Sequence, residues 1–439
     1  MLTVREVSDD EALQALEPGW RALCGRARGV TPFQLWEWTA GYLKHARQGR
    51  PLVLVAEDAD ADNGGDGGGP VGILALRIER YYGTPLRRIR FLTAPLADYQ
   101  DLLARTGRER ECRDAFFAHL ARERRRWDLI DLADLRAGTE LAELSEAELP
   151  AGLRLRSTVH RQCPFIPLPA TWEAYNATLG KNLRANIGRR RRQLAKQFRL
   201  ELGLADEASL DSALTDLFQL HNQRWRERGQ SGAFAKEPIQ RFHRDVARGF
   251  LRGGHLRLHL VRLDGVTRAA FYCFQLGGRV YYYLSGYDPE LARYSLGTVT
   301  LSEALMAAIR EGVTEFDLLR GDETYKYEWQ GQDRVTRRLL VWHGGLRSQL
   351  AWQGSRLERH IEHAGLRWQR RRWGRKPERD KAGAASSDKG QDTGPDTEPE
   401  KARAKGPDKA KAKGPDNAPG KSHEQATAKA ARRPPDGGT

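Results

Sequence analysis

The densest gathering of reactive side chains lies between Phe316 and Trp329, which reads Phe-Asp-Leu-Leu-Arg-Gly-Asp-Glu-Thr-Tyr-Lys-Tyr-Glu-Trp. Asp322, Glu323, Tyr325 and Lys326 cluster there, just past Thr314 to Leu319, which reads as a strand. Carboxylate, phenol and ammonium groups can accept, hold and donate protons, and polar groups collected at a strand end often carry chemistry. A second group precedes it. The aromatic strand Tyr281 to Tyr283 ends in Ser285-Gly286, and Arg293-Tyr-Ser-Leu-Gly-Thr298 then opens a segment with Leu301, Leu305, Ala308 and Ile309 at helical spacing. Such a helix start leaves the backbone N–H groups of Ser295, Leu296, Gly297 and Thr298 facing outward at the positive end of the helix dipole. That arrangement suits a phosphate, and Arg293 could add a charge-assisted contact. The same residues have plainer uses: Asp322 as a turn former, Tyr325 as packing, Lys326 paired with Glu328, and Arg293 and Gly297 as helix-entry geometry.

Two further clusters could face an acceptor. Lys181 to Arg199 carries Leu183, Ile187, Leu194 and Phe198 on one helical side. At about 100° per residue, Arg190 and Arg191 flank that stripe, where they could border a cleft and bind a phosphate or carboxylate, or else belong to a solvated basic helix. His221, Arg224 and Trp225 gather near a helix end, before Gly229 and Gly232. An Arg224–Trp225 stack could line a groove, or the group could be an ordinary cationic helix terminus.

The elements that must position these groups occur in the same order twice. Residues 51–57, 71–78 and 88–93 are predicted strands, 113–124 a helix and 127–132 a strand; 255–263, 268–276, 280–285, 295–311 and 314–319 repeat that order. A helix between neighbouring strands implies a parallel crossover in an otherwise antiparallel sheet. The predicted fold is therefore α/β, two tandem mixed-sheet domains with flanking helices and a seam where strands splay. The expected divisions are 1–160, 161–345, a basic amphipathic helix over 346–374 and a disordered tail over 375–439.

The element order with Arg293-Tyr-Ser-Leu-Gly297-Thr resembles the GNAT acyltransferase fold, whose Q/R-x-x-G-x-G/A loop cradles coenzyme A; here Leu296 replaces the first glycine and Thr298 the second. Phe316 to Trp329 closely resembles the signature of the CelD/BcsL-type, or BioF2-like, acetyltransferases. Tyr175 to Arg192, including Arg184, and His221 to Gly229 extend the likeness over residues 165–345. Tandem halves of this kind are also similar to the Fem-type peptidyltransferases, which use aminoacyl-tRNA. The first stretch is then expected to be a degenerate GNAT-like domain and the second the acyltransferase domain.

The resemblance implies acetyl-CoA or another acyl-CoA as co-substrate, no metal, and a hydroxyl or amine on a saccharide or cell-envelope precursor as acceptor. It implies a donor clamp at Ser295 to Thr298 with Arg293, oxyanion donors near Leu284 and Ser285, Asp322 or Glu323 as base, Tyr325 as thiolate acid and Lys326 as catalytic or anion-binding. Arg184, Arg190, Arg191, Arg224 and Trp225 would face the acceptor. Two alternatives stand beside this: an aminoacyl-tRNA-dependent Fem-like transferase, and a non-enzymatic basic adaptor for nucleic acid or anionic membrane.

Composition narrows the setting. The 439 residues are 39% hydrophobic and 30% charged, with no apolar run of membrane-spanning length. The beginning of the chain turns acidic where an exported protein would carry an apolar leader, so the cytosol is the expected compartment. Cys24, Cys112, Cys163 and Cys273 are too scattered for a disulfide scaffold, and His255 and His259 lack a third ligand at metal-site spacing. Asp58 to Gly64 fails the calcium-loop pattern and reads as an acidic hairpin loop. The net charge is +15; residues 375–439 contribute +4 (15 basic against 11 acidic side chains), leaving +11 on the part that can fold. That excess favours anionic partners. Arg367 to Trp373 interleaves arginine with tryptophan, which suits a helix covering the sheet or, as a second reading, contact with the inner face of an anionic membrane.

Overall fold

In a computed structural model, residues 2–59, 69–227 and 229–358 are described. The first stretch forms β1 (Leu2–Val7), α1 (Asp10–Ala15), α2 (Glu17–Arg26), α3 (Trp36–His45), β2 (Arg50–Asp58), β3 (Gly72–Arg80), β4 (Arg87–Phe91), β5 (Leu103–Ala104), α4 (Glu109–Arg122) and β6 (Leu129–Arg136). β7 (Leu153–Gln162) and β8 (Phe165–Pro167) lead to α5 (Trp172–Thr178), α6 (Lys181–Gln197), β9 (Leu200–Leu204), α7 (Leu210–Arg226) and α8 (Glu237–Arg252). Then come β10 (Leu256–Leu263), β11 (Val266–Leu276), β12 (Arg279–Tyr287), α9 (Leu296–Arg310), β13 (Glu315–Asp317), α10 (Thr324–Glu328) and β14 (Val335–His343), followed by helical residues 346–358.

These elements make two mixed sheets. One runs β1-β2-β3-β4-β6-β14-β7 with β5 against β3, and the other β8-β13-β12-β11-β10-β9. Each has one parallel pair, β4 with β6 and β12 with β13, joined through α4 and α9 respectively; the other pairs are antiparallel. The repeated order of elements is thus a repeated topology. The two stretches interleave, however. β14 returns from the end of the second to lie between β6 and β7 in the first sheet, covering backbone groups that β6 would otherwise expose as an edge.

Packing follows the apolar periodicity. Leu301, Leu305, Ala308 and Ile309 of α9 are buried against Phe271, Val280 and Phe316. Phe116, Phe117 and Leu120 of α4 fill the corresponding place under the first sheet. A third cluster joins the halves around Trp38, which meets Phe33 at 4.9 Å and Phe242 at 5.0 Å in edge-to-face contacts. Residues 346–358 cover the first sheet, with Ala351 buried and Trp352 stacked on Trp342 at 4.6 Å. Leu346, Leu350 and Leu357 face outward from that helix.

Cys112, Cys163 and Cys273 are buried thiols and Cys24 is half-buried. Among the described residues no helix is long and apolar enough to cross a membrane. The tip of the acidic hairpin loop, the Arg367 to Trp373 run and the 375–439 tail lie outside the described residues.

Candidate active site

The site begins where the parallel pair parts. Pairing of β12 with β13 ends at Tyr281 opposite Asp317; β12 continues to Tyr287 while the chain after Asp317 turns away. The strand expected over 314–319 is therefore only three residues long. Leu319, at φ 52°, takes a left-handed conformation that leucine adopts at a cost of about 1–3 kcal/mol. Asp317 supports it by accepting the Leu319 N–H at 2.8 Å, and it also receives the Tyr99 hydroxyl at 3.1 Å and Arg334 at 2.8 Å. A register shift between β11 and β12 inserts Tyr283 as an extra residue. Tyr281 and Tyr283 enter the core around Trp38, whereas Tyr282 faces the opposite side and stacks on Phe271 at 4.8 Å.

On that opposite side lies a cleft of about 360 Å³. Leu183, Arg224, Tyr282, Ser285, Tyr287, Ser295 to Thr298, Tyr325, Glu328 and Trp329 line it. The expected phosphate clamp is narrower than four residues. Ser295, left-handed at φ 53°, donates its N–H to Ala292, and Thr298 donates back to the Ser295 carbonyl at 2.9 Å. The N–H groups of Leu296 and Gly297 meet no acceptor among the described residues, as is usual in the first turn of a helix. A Cβ built at Gly297 would come no closer than 3.6 Å to the Tyr287 ring, so the fold itself does not demand a glycine there.

The cation in this cleft is Arg224. Its guanidinium lies 4.2 Å over the Tyr287 ring, its Nε is buried without a hydrogen-bond partner, and it makes no ion pair among the described residues, although Asp288 and Glu328 line the same cleft. Arg293, expected to take this role, is exposed, rests on the Tyr294 ring at 4.8 Å and lies off the cleft wall. Trp225 tilts against His221 at 6.0 Å; Arg224 takes Tyr287, not Trp225, as its aromatic partner. His221 supports the wall from behind. Its Nδ1 donates to the Ser285 carbonyl at 2.7 Å and its Nε2 accepts the Ala233 N–H at 3.2 Å, which fixes one neutral tautomer. Burial pushes this imidazole down to about 4.

Of the four residues expected to handle protons, only Tyr325 lines the cleft. Its hydroxyl contacts Tyr282, whose own hydroxyl donates to Ser285 Oγ at 2.6 Å. Burial, with the Glu323 charge adding to it, pushes Tyr325 above the ordinary phenol range, so it holds its proton at neutral pH. Asp322 and Glu323 are exposed in the preceding loop, away from the wall. Lys326 points the other way. It is buried, donates to the carbonyls of Leu319, Arg320 and Gly321 at 3.1, 3.0 and 3.1 Å, and meets Glu323 at 3.1 Å. Neither a pairing with Glu328 nor an anion-binding role fits an ammonium whose three hydrogens are so occupied.

Leu284 packs toward the core between the halves, and only Ser285 of the expected oxyanion pair reaches the cleft. From α6 the cleft takes Leu183 and none of the expected arginines. Arg184 is exposed, Arg190 bonds the side chains of Asn186 and Gln193, and Arg191 pairs with Glu303 of α9 at 2.7 Å. Positions flanking the buried stripe knit α6 to itself and to α9. Sequence reasoning missed Tyr282, Tyr287, Glu328 and Trp329 as wall residues. Strand alternation would separate Tyr282 from its neighbours, and Glu328 lies one turn beyond Tyr325.

The structure of FemX matches at 10% identity over 80% of this chain and 99% of its own, with a TM-score of 0.54, which shows a shared fold. The C-terminal domain of a putative lysylphosphatidylglycerol synthetase from Agrobacterium fabrum matches at 12% identity over 79% and 96%, TM-score 0.49. A tandem GNAT protein from the clavulanic acid biosynthesis pathway matches at 15% over 79% and 99%, TM-score 0.39. No curated protein sequence matches the chain. Residues 181–327 match the family model described as an acetyltransferase (GNAT) domain, and that segment contains both the α9 turn and Tyr325.

Proposed function

We propose that this protein moves an acyl group from an acyl-coenzyme A, acetyl-CoA in the simplest case, to a hydroxyl or amine of a saccharide or cell-envelope precursor. One observation carries the reading: a single cleft joins the unclaimed N–H groups of Leu296 and Gly297, the guanidinium of Arg224, which makes no ion pair among the described residues, and the protonated Tyr325. The buried, partnerless Nε of Arg224 beside a helix N-terminus fits an anionic group such as a diphosphate. A bound acyl-CoA would supply an activated thioester.

The chain's own residues divide the remaining work. Leu296, Gly297 and Arg224 bind the anionic end, Phe271 and Leu301 line the apolar part of the wall, and Tyr325 holds a proton at Oη for a departing sulfur. Glu328, a carboxylate on the wall, takes the base role first assigned to Asp322 or Glu323. The acceptor class rests on the CelD/BcsL-type likeness of residues 316–329.

Calorimetry tests the donor. Acetyl-CoA should bind saturably to the full chain, and Arg224→Ala should weaken it by about tenfold or more, the loss of one charge-assisted contact. Absence of binding to the wild-type protein would overturn the reading. Binding of aminoacyl-tRNA in its place would move the donor to the class used by Fem-type enzymes.

A further inference from the structure

Seven of the 17 residues of α6 are Lys or Arg and none is Asp or Glu. Arg191 alone has an acidic partner among the described residues, Glu303; Arg189 and Arg190 reach only the amide oxygens of Asn186 and Gln193. Burial of Ile187 and Leu194 sets the roll of the helix. The opposite face turns Lys181, Arg189, Arg192 and Lys196 to water, and no side chain larger than alanine's interrupts it with apolar surface. An exposed helix ordinarily mixes its charges, because like charges at three- and four-residue spacing repel. Here Arg189, Arg192 and Lys196 follow one another at that spacing, and the buried stripe beneath keeps the helix folded.

The density of charge selects the partner. Lys181 to Lys196 spans about 23 Å of helix axis, so the four cations of this face lie about one every 6 Å, close to the spacing of every second phosphate along a strand. A nucleic-acid strand presents one phosphate charge per roughly 3.4 Å of axis. A helix that lies on a lipid surface carries apolar side chains that enter the headgroup boundary, and this face has none. We propose that the solvent face of α6 docks the phosphate backbone of a nucleic-acid strand. Leu183 of the same helix belongs to the cleft wall, so a strand held there passes the mouth of the cleft. The inference goes beyond the acyl-transfer reading and does not depend on it.

Fluorescence anisotropy of the full-length protein with a labelled single-stranded oligoribonucleotide, titrated over a range of salt, tests this without any acyl donor. Saturable binding that weakens as salt rises is expected. The triple variant R189A/R192A/K196A alters exposed side chains whose contacts stay within α6, the Arg189 bond to Asn186 and Arg192 over Gly188, so its circular dichroism and melting temperature should stay close to the wild type. Its affinity at low salt should fall at least tenfold, and its slope of log affinity against log salt should drop by about 2, three contacts at roughly 0.7 each. Unchanged binding by the triple variant would overturn the proposal and assign any affinity to another basic segment. So would binding to phosphatidylglycerol vesicles with none to the oligonucleotide. Loss of acetyl-CoA binding in the wild type leaves this result untouched.

Discussion

Gly297 illustrates a residue whose small size serves a ligand more than the fold. A Cβ there would find its nearest neighbour 3.6 Å away, and the position lies in the first turn of α9. Gly297→Ala should therefore keep stability or raise it by up to about 1 kcal/mol, since alanine is the better helix former. The same methyl would stand over the free Leu296 and Gly297 N–H groups, so acetyl-CoA affinity should fall several-fold. Thermal melts and calorimetry on one preparation check both halves, and retained affinity would remove the phosphate role. Tyr325 makes the complementary case. Tyr325→Phe removes a proton from the cleft and little volume, so donor affinity should persist while turnover drops about a hundredfold or more. Equal loss of binding and turnover would instead make the residue a wall. The adjacent Lys326, equally polar in sequence, is spent on three carbonyls. No spacing rule separates the two, because which of two neighbouring side chains faces outward on a five-residue helix depends on what lies beneath it.

Elements carry the site through close approach. α7 lies so near β12 that a Cβ at Gly286 would come within 2.6 Å of the His221 backbone nitrogen and 3.0 Å of the Leu217 carbonyl. Backbone cannot yield as a side-chain tip can. Gly286→Ala is expected to cost about 1–3 kcal/mol, visible as a lowered melting temperature, and to disturb the cleft through Ser285, the preceding residue. A variant that melts like the wild type would mean the two elements can separate freely. The strongly periodic elements were legible in the sequence: the β2–β3 hairpin, the β10 to β12 meander, the buried stripe of α9 and the helix beginning at Lys181 appear at their expected places, since apolar period follows from local geometry. The arginines around α6 were legible as flanking the stripe, but not as partners of Glu303, Asn186 and Gln193, which only neighbouring elements supply.

Across the whole molecule, buried imidazoles set a response to acid. His221, His243 and His259 are buried, and desolvation pushes them down to about 4, 3 and 4. A folded value below the unfolded one, near 6.5, means that their contribution to stability is complete above about pH 6.5 and is lost as pH falls toward 4. The melting temperature should accordingly decline over that window, and the His221 ring signal in NMR should stay neutral until near pH 4. A flat melting temperature between 6.5 and 4 would show these rings to be solvated in the native state.

Composition, period and the two motifs were enough to establish an α/β chain with two parallel crossovers, a helix start beside Gly297 and a polar cluster after β13, because each depends on residues close together along the chain. Tertiary structure alone decided that β14 completes the first sheet, that Arg224 and not Arg293 faces the cleft, and that Tyr325 rather than Asp322, Glu323 or Lys326 reaches it. Those outcomes turn on backbone groups that need covering and on which side chains reach a given wall once the elements are packed, and local propensity holds no record of either.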